Sequence, residues 1–81
     1  MLTFSDALTF LKAGKRVHRS GWNGKGMFLF RVPAHKDACI EMDGEIVEFR
    51  GHIMMKTAPG YIVPWLASQT DLLDEDWEVA P

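Results

Sequence analysis

Two segments of this 81-residue chain gather side chains that could do chemistry. The first runs Arg19-Ser20-Gly21-Trp22-Asn23-Gly24-Lys25-Gly26-Met27. The flat indole of Trp22 can stack on a nucleobase, or it can pack in a core. The glycines remove side chains, so a ligand or another backbone can approach closely. Asn23 offers a donor and an acceptor, which suits a base edge or a ribose hydroxyl. Arg19 and Lys25 can neutralise phosphate. The second segment is Pro64-Trp65-Leu66-Ala67-Ser68-Gln69-Thr70-Asp71, in which four hydrogen-bonding side chains follow an aromatic anchor. If Ser68 opens a helical turn, the unpaired backbone N–H groups of that turn attract anions. The same start also reads as a plain helix cap with Asp71 in its first turn. For Trp22, burial beside a helix stays open as the alternative to ligand contact.

Catalytic chemistry finds little support. No nucleophile, base and orienting group stand out as a set. Cys39 falls in a strand-like run, where a half-buried, inert thiol is the expectation. Asp74, Glu75 and Asp76 read as a solvated charge run. The glycine spacing is neither that of a Walker loop nor that of a dinucleotide fold. His18, His35 and His52 recur 17 residues apart and read as surface or strand residues rather than zinc ligands. The expectation is therefore no catalytic residue, no metal and no cofactor.

The elements that must hold these segments follow from periodicity. Phe4, Ala7, Leu8 and Leu11 make one face of a helix over residues 3–14, capped by Thr3 or Ser5 and ended at Gly14. Residues 16–19 read as a short strand, and 27–32 as a second with Phe28 and Phe30 on one face and Leu29 and Arg31 on the other. Pro33 ends it before a polar loop at 34–38. Asp43-Gly44 between residues 38–42 and 45–49 is a two-residue hairpin signal. Strands follow at 52–57 and 61–63, the latter stopped by Pro64. A helical turn capped by Ser68 or Thr70 covers 68–73, and Trp77-Glu78-Val79 is the last strand. The fold class is α+β in one domain over residues 1–81. An N-terminal helix packs on a mostly antiparallel sheet of five or six short strands, with a short helical turn near the C-terminus.

Composition bounds the partners. Apolar residues are 47% and charged residues 25%, as in ordinary globular chains. A core this small, without disulfides, predicts self-association. Net charge is −2, but it is segregated: residues 1–36 carry seven Lys/Arg and one acid, and residues 37–81 carry ten acids and two bases. Either the halves pair with each other, or the basic half meets a small anion. Without an overall basic excess, long nucleic acid is excluded as a partner. No apolar run approaches the ~20 residues that span a bilayer. The first six residues lack the basic region of a signal peptide, and one unpaired cysteine suits a reducing compartment, so a cytoplasmic location is expected.

Beyond these readings, the chain resembles the Thoeris anti-defence two-like family of phage and prophage proteins over nearly its full length. The matching stretches are Gly-Lys-Arg-Val at 14–17, Gly-Trp-Asn-Gly-Lys-Gly-Met-Phe-Leu at 21–29, His52-Ile53 with Met55-Lys56-Thr57-Ala58, and the long run from Ile62 to Trp77. Residues 34–51 do not follow a fixed pattern. The resemblance implies a sponge that binds and sequesters, without cleaving, glycocyclic ADP-ribose made by the bacterial Thoeris defence. Some relatives also take cyclic di- or trinucleotides. It implies a homotetramer with sites at subunit junctions. The residues carried over are Trp22, Asn23, Gly24, Met27, Trp65, Ser68, Gln69, Thr70 and Asp71, with Arg19 beside them. Their chemistry suggests Trp22 on adenine, Asn23 and Gln69 on base or ribose edges, and Ser68 and Thr70 near phosphate. Two departures are visible: Met54 and Pro59 stand where the family often has Asp. The alternative is a non-catalytic protein-interaction module of phage or prophage origin, using the acidic C-terminal half.

Overall fold

A computed structural model describes residues 1–22, 25–34 and 39–81. Asn23, Gly24 and His35, with the rest of the expected loop at 35–38, lie outside the described residues. The chain runs α1 (Phe4–Lys12), β1 (Val17–Arg19), β2 (Phe28–Val32), β3 (Cys39–Met42), β4 (Glu45–Glu48), β5 (His52–Lys56), β6 (Ile62–Pro64), α2 (Gln69–Leu73) and β7 (Trp77–Val79). This is the α+β architecture expected from periodicity.

Helix α1 begins where Thr3 satisfies a backbone donor that the first turn cannot satisfy itself. The Thr3 hydroxyl accepts from the Asp6 N–H at 3.2 Å, and the Asp6 carboxylate accepts from the Thr3 N–H at 3.0 Å. Thr3, not Ser5, is thus the cap. The helix lays Ala7 and Leu11 on one face of a five-stranded antiparallel sheet of order β6-β5-β2-β1-β7. Val17, Leu29 and Trp77 rise from that face, and these five side chains have no accessible surface. The alternation in β2 holds, with Leu29 buried between Phe28 and Phe30.

The strand expected at 61–63 is Ile62–Pro64, so Pro64 ends it from within, opposite Met54, rather than from the position after it. Proline is tolerated there because β6 is an edge strand, whose outer side needs no N–H. The Asp43-Gly44 turn closes β3 on β4 with φ of 50° and 83°, the left-handed pair such a tight hairpin requires. Cys39 is exposed in β3, not half-buried, because that hairpin packs on no other named element.

Candidate functional site

The two tryptophan segments meet at Trp77. The Trp22 ring stands edge-on to Trp77 with centroids 5.5 Å apart, and Trp65 does the same at 6.1 Å. Phe4 from α1 closes the cluster, 6.0 Å from Trp65 and 5.4 Å from Trp77. Such tilted pairs each add about 0.5–1.5 kcal/mol beyond burial. Trp77 is fully buried, and its indole N–H donates to the Asp71 carbonyl at 2.9 Å. Trp22 and Trp65 are half-buried. Both readings of these rings are therefore realised in part: each packs on the core rim, and each keeps accessible surface.

The start of α2 lies within the same cluster. Ser68 caps it: its hydroxyl accepts from the Asp71 N–H at 3.1 Å, and Asp71 accepts from the Ser68 N–H at 2.9 Å. The Ser68 and Thr70 hydroxyls are 2.9 Å apart. Gln69 and Thr70 are exposed. Asp71 is 8% exposed, an uncommon place for a carboxylate unless it is paired.

Its partner is Arg19. The guanidinium engages three carboxylates, with Nη1 on Asp71 at 2.8 Å, Nε on Asp76 at 2.8 Å and Nη2 on Asp74. The reading of Arg19 as a free cation for phosphate meets a different fact, since all three of its nitrogens already donate to carboxylates. Asp74 and Asp76 are likewise not a merely solvated charge run; Asp76 also accepts from the Gly21 N–H at 3.0 Å. Gly21 leaves room for this approach: a Cβ there would lie 2.9 Å from the Asp76 carboxylate, which would have to shift. The glycine thus admits an acidic side chain of the same chain. Hydrogen bonds to Asp76 and then Asp71 hold the Arg19 pKa above its ordinary value. The hydrogen bond from Arg19 holds the Asp76 carboxyl below the usual range. Burial alone would push Asp71 upward. Hydrogen bonds from Ser68, Arg19 and Trp22 outweigh it and hold that carboxyl low as well. All three groups are charged at neutral pH.

Sequence reasoning missed Asp74, Asp76 and Trp77 as parts of this assembly. The signal for the acids was the charge segregation, because a basic N-terminal half and an acidic C-terminal half invite pairing. Two clefts lie near these segments, and neither is lined by Trp22, Ser68, Gln69 or Thr70. One of about 540 Å³ runs past Trp65, lined by Phe49, His52, Ile53, Met54 and Pro64. The other, about 370 Å³, lies beside the half-buried Met27 and is lined by His18, Gly26, Phe28 and Lys56. The Lys56 ammonium donates to the Gly26 carbonyl at 3.1 Å, tying that loop to β5. Met54 is thus a wall of the Trp65 cleft.

Residues 2–80 match the Thoeris anti-defense 2-like domain. A protein named Thoeris anti-defense 2, from Bacillus phage SP01, is 44% identical over 86 residues, covering 96% of this chain and 93% of that protein. The matched stretch includes both tryptophan segments, the Ser68 cap and the Arg19 network, and the chain belongs to the Thoeris anti-defense 2-like family.

Proposed function

We propose that this protein blocks bacterial anti-phage defence by binding and sequestering, without cleaving, a cyclic nucleotide immune signal. Glycocyclic ADP-ribose is the first candidate ligand, and cyclic di- and trinucleotides are the next. The observation that carries the reading is the convergence of Trp22 and Trp65 on the buried Trp77 with both outer rings half-exposed. Two aromatic surfaces held by one core residue suit a ligand with a base to stack. Base–aromatic stacking is worth about 1–3 kcal/mol per base. The cleft past Trp65, about 540 Å³, falls in the range that small-ligand pockets occupy. The relative's name, Thoeris anti-defense 2, supports the anti-defence role.

In this reading Trp22 stacks on adenine, while Asn23 and Gln69 meet base or ribose edges. Thr70 and Ser68 border the phosphates, and Gly24, Met27 and Trp65 complete the walls. Asp71 and Arg19 act behind this surface, holding the Ser68 turn and the Trp22 loop in place. The proposed setting is the host cytoplasm, with the protein acting as a homo-oligomer, a tetramer by family resemblance. Neither long nucleic acid nor membrane is a proposed partner. Among the described residues no helix is long and apolar enough to cross a membrane.

The test is capture and release. Purified protein is incubated with glycocyclic ADP-ribose and a panel of cyclic oligonucleotides, removed, and heated, and both fractions are analysed. Intact ligand appearing only after heating is the expected result. Altered ligand would show an enzyme, and ligand left free throughout would favour a protein-interaction module. Trp22→Ala should weaken capture roughly 10- to 100-fold, the loss of one stacking contact. If the variant, checked as folded by circular dichroism, captures as well as the wild type, Trp22 is not in the pocket.

A further inference from the structure

The phosphates of a nucleotide need a cation, and Arg19 is taken by three carboxylates. Arg16 and Lys56 are engaged as well. They sit over the Phe28 ring at 4.6 and 5.7 Å, and the Lys56 ammonium also donates to the Gly26 carbonyl. Two other cations stand together at the far end of α1. Leu29 and Arg31 take the same side of β2, the side that α1 covers. Leu29 is fully buried in the core with α1, whereas Arg31 is exposed near the end of the helix. Lys12 belongs to that last helical turn. With Leu8, His52 and Ile53, these two cations line a cleft of about 220 Å³ between α1 and the sheet.

This cleft adjoins the one past Trp65, because His52 and Ile53 are walls of both. The register fixes the row. Arg31 is opposite Ile53, and the Trp65 N–H donates to the Ile53 carbonyl at 3.2 Å. Arg31 and Trp65 are thus two strand spacings apart, roughly 10 Å. Along α1 the spacing is similar. Phe4 packs 6.0 Å from Trp65, and the helix rises about 12 Å from Phe4 to Lys12. The groove therefore has an aromatic end and a cationic end, separated by about the reach from a nucleobase to the phosphates of its nucleotide. Between them the His52 ring is oriented by the Arg50 carbonyl, 2.7 Å from Nδ1. A carbonyl only accepts, so Nδ1 carries the hydrogen, and in the neutral ring Nε2 is left as an acceptor.

We propose that Lys12 and Arg31 hold the phosphates of a nucleotide whose base lies against Trp65, with His52 Nε2 accepting from a ribose hydroxyl between them. The Arg31 fork suits two phosphate oxygens at once, and the Lys12 ammonium adds a point charge. This rests on the nucleotide-sequestering reading and moves its anionic contact from the Ser68 turn to the far end of α1, onto two residues outside both tryptophan segments. The start of α2 is less suited to hold that charge. Its Ser68 and Asp71 N–H groups already donate within the cap, and the Asp71 carboxylate lies in the same turn. Among the described residues, neither cleft has a carboxylate in its wall, and every ion pair involves Arg19. Lys12 and Arg31 thus meet an anion without first giving up a partner, and Leu8 and Ile53 beside them reduce the water that would screen the contact.

The test uses the wild type and the double variant Lys12→Gln with Arg31→Gln. Both side chains are exposed, and circular dichroism and melting verify that the variant folds. Isotope-labelled protein is titrated with adenosine, inorganic pyrophosphate and adenosine diphosphate, and its resonances are followed by NMR. In the wild type, pyrophosphate should move Lys12 and Arg31, adenosine should move Trp65 and Ile53, and the diphosphate should move both sets. A hydrogen bond to a charged group is worth roughly 10- to 100-fold in affinity, so the diphosphate should bind at least about 10-fold tighter than adenosine. The variant should bind the diphosphate no tighter than adenosine and keep the Trp65 response. A pyrophosphate response centred on residues 68–71 or on Arg16 and Lys56, an adenosine response at Trp22 without Trp65, a variant that binds the diphosphate as the wild type does, or no response to the diphosphate would each overturn the proposal. Capture of glycocyclic ADP-ribose is read separately. A variant that captures it as well as the wild type would sink the phosphate groove and leave sequestration standing. A diphosphate response in a wild type that captures no cyclic nucleotide would sink sequestration and leave the groove.

Discussion

Arg19→Met separates a structural cation from a ligand-binding one. The substitution keeps the aliphatic stem and removes the charge from among three carboxylates. Arg19 and Asp71 side chains are 10% and 12% exposed, and Asp76 is 19% exposed, so two of the three pairs sit largely out of water. Breaking a buried pair by deleting one partner costs about 3–5 kcal/mol. Asp74, at 54% exposed, adds at most about 1 kcal/mol. Asp71 keeps the Ser68 N–H and Asp76 keeps the Gly21 N–H, which places the loss near the low end, roughly 3 kcal/mol. In a domain this small about 1 kcal/mol moves the melting midpoint by 4–8 °C, so a fall of roughly 12–24 °C is expected at pH 7. The pH dependence has a definite sign. Asp71 and Asp76 have folded-state pKa values depressed below 3.8. Their contribution is present above the unfolded value near ~3.9 and is lost as pH falls through the folded values. Wild-type stability should therefore drop steeply on going from pH 5 to pH 3, and the variant should lose less over that window. Thermal melts by circular dichroism at both pH values measure this. A variant that melts within about 2 °C of wild type at pH 7, yet loses ligand capture, would refute the structural assignment and restore Arg19 as a ligand contact.

Two further predictions concern the same neighbourhood. Ser68→Ala removes the α2 cap and leaves the Asp71 N–H without its partner, so urea unfolding should show a loss near ~2 kcal/mol, the upper end for a cap; a loss under ~0.5 kcal/mol would mean the cap is dispensable. Met54→Asp puts an acid into the Trp65 cleft, and capture assays should show a changed order of preference among cyclic nucleotides with the melting midpoint within about 4 °C of wild type; an unchanged order would remove residue 54 from specificity.

The helix and the strands were legible because each announces itself locally. Phe4, Ala7, Leu8 and Leu11 repeat at helical spacing, Asp43-Gly44 can hardly be anything but a tight turn, and Leu29 alternates with Phe28 and Phe30. Pro64 does end its strand, but that it sits inside the strand depends on the edge position, and only the strand order supplies that. Cys39 misled because an alternating run says which residues share a face, not whether another layer covers it. The Arg19 network was the least legible part. Its partners lie 52, 55 and 57 residues away, and an acidic run after a short helix looks the same whether it faces water or an arginine. The segregation of charge between the halves was a true signal, but it carried no address. Asn23 and Gly24 lie outside the described residues, so their part in the proposed pocket rests on the resemblance alone.

The Arg19 network changes what the two tryptophan segments are for. A loop of three glycines in seven residues is a poor platform for a flat ring, because its conformational freedom would have to be lost on binding. Here that cost is met on folding. Arg19 precedes the loop, Gly21 is held by Asp76, and the Trp22 N–H donates to the Arg19 carbonyl at 3.2 Å. On the other side, Asp71 links Arg19 to the Ser68 turn, and its carbonyl receives the Trp77 indole. One arginine thus fixes both walls to the same buried tryptophan. In the proposed sponge, which binds without turnover, affinity comes mainly from such preorganisation, since rigid partners lose little freedom on association. The buried charges lie behind the aromatic surface, so substitutions at Arg19 and at Trp22 should separate in the assays: the first lowers the melting midpoint and weakens capture only as the walls loosen, and the second weakens capture directly. A double variant in which the two capture defects add fully would show that the network and the ring act independently, and would break this account.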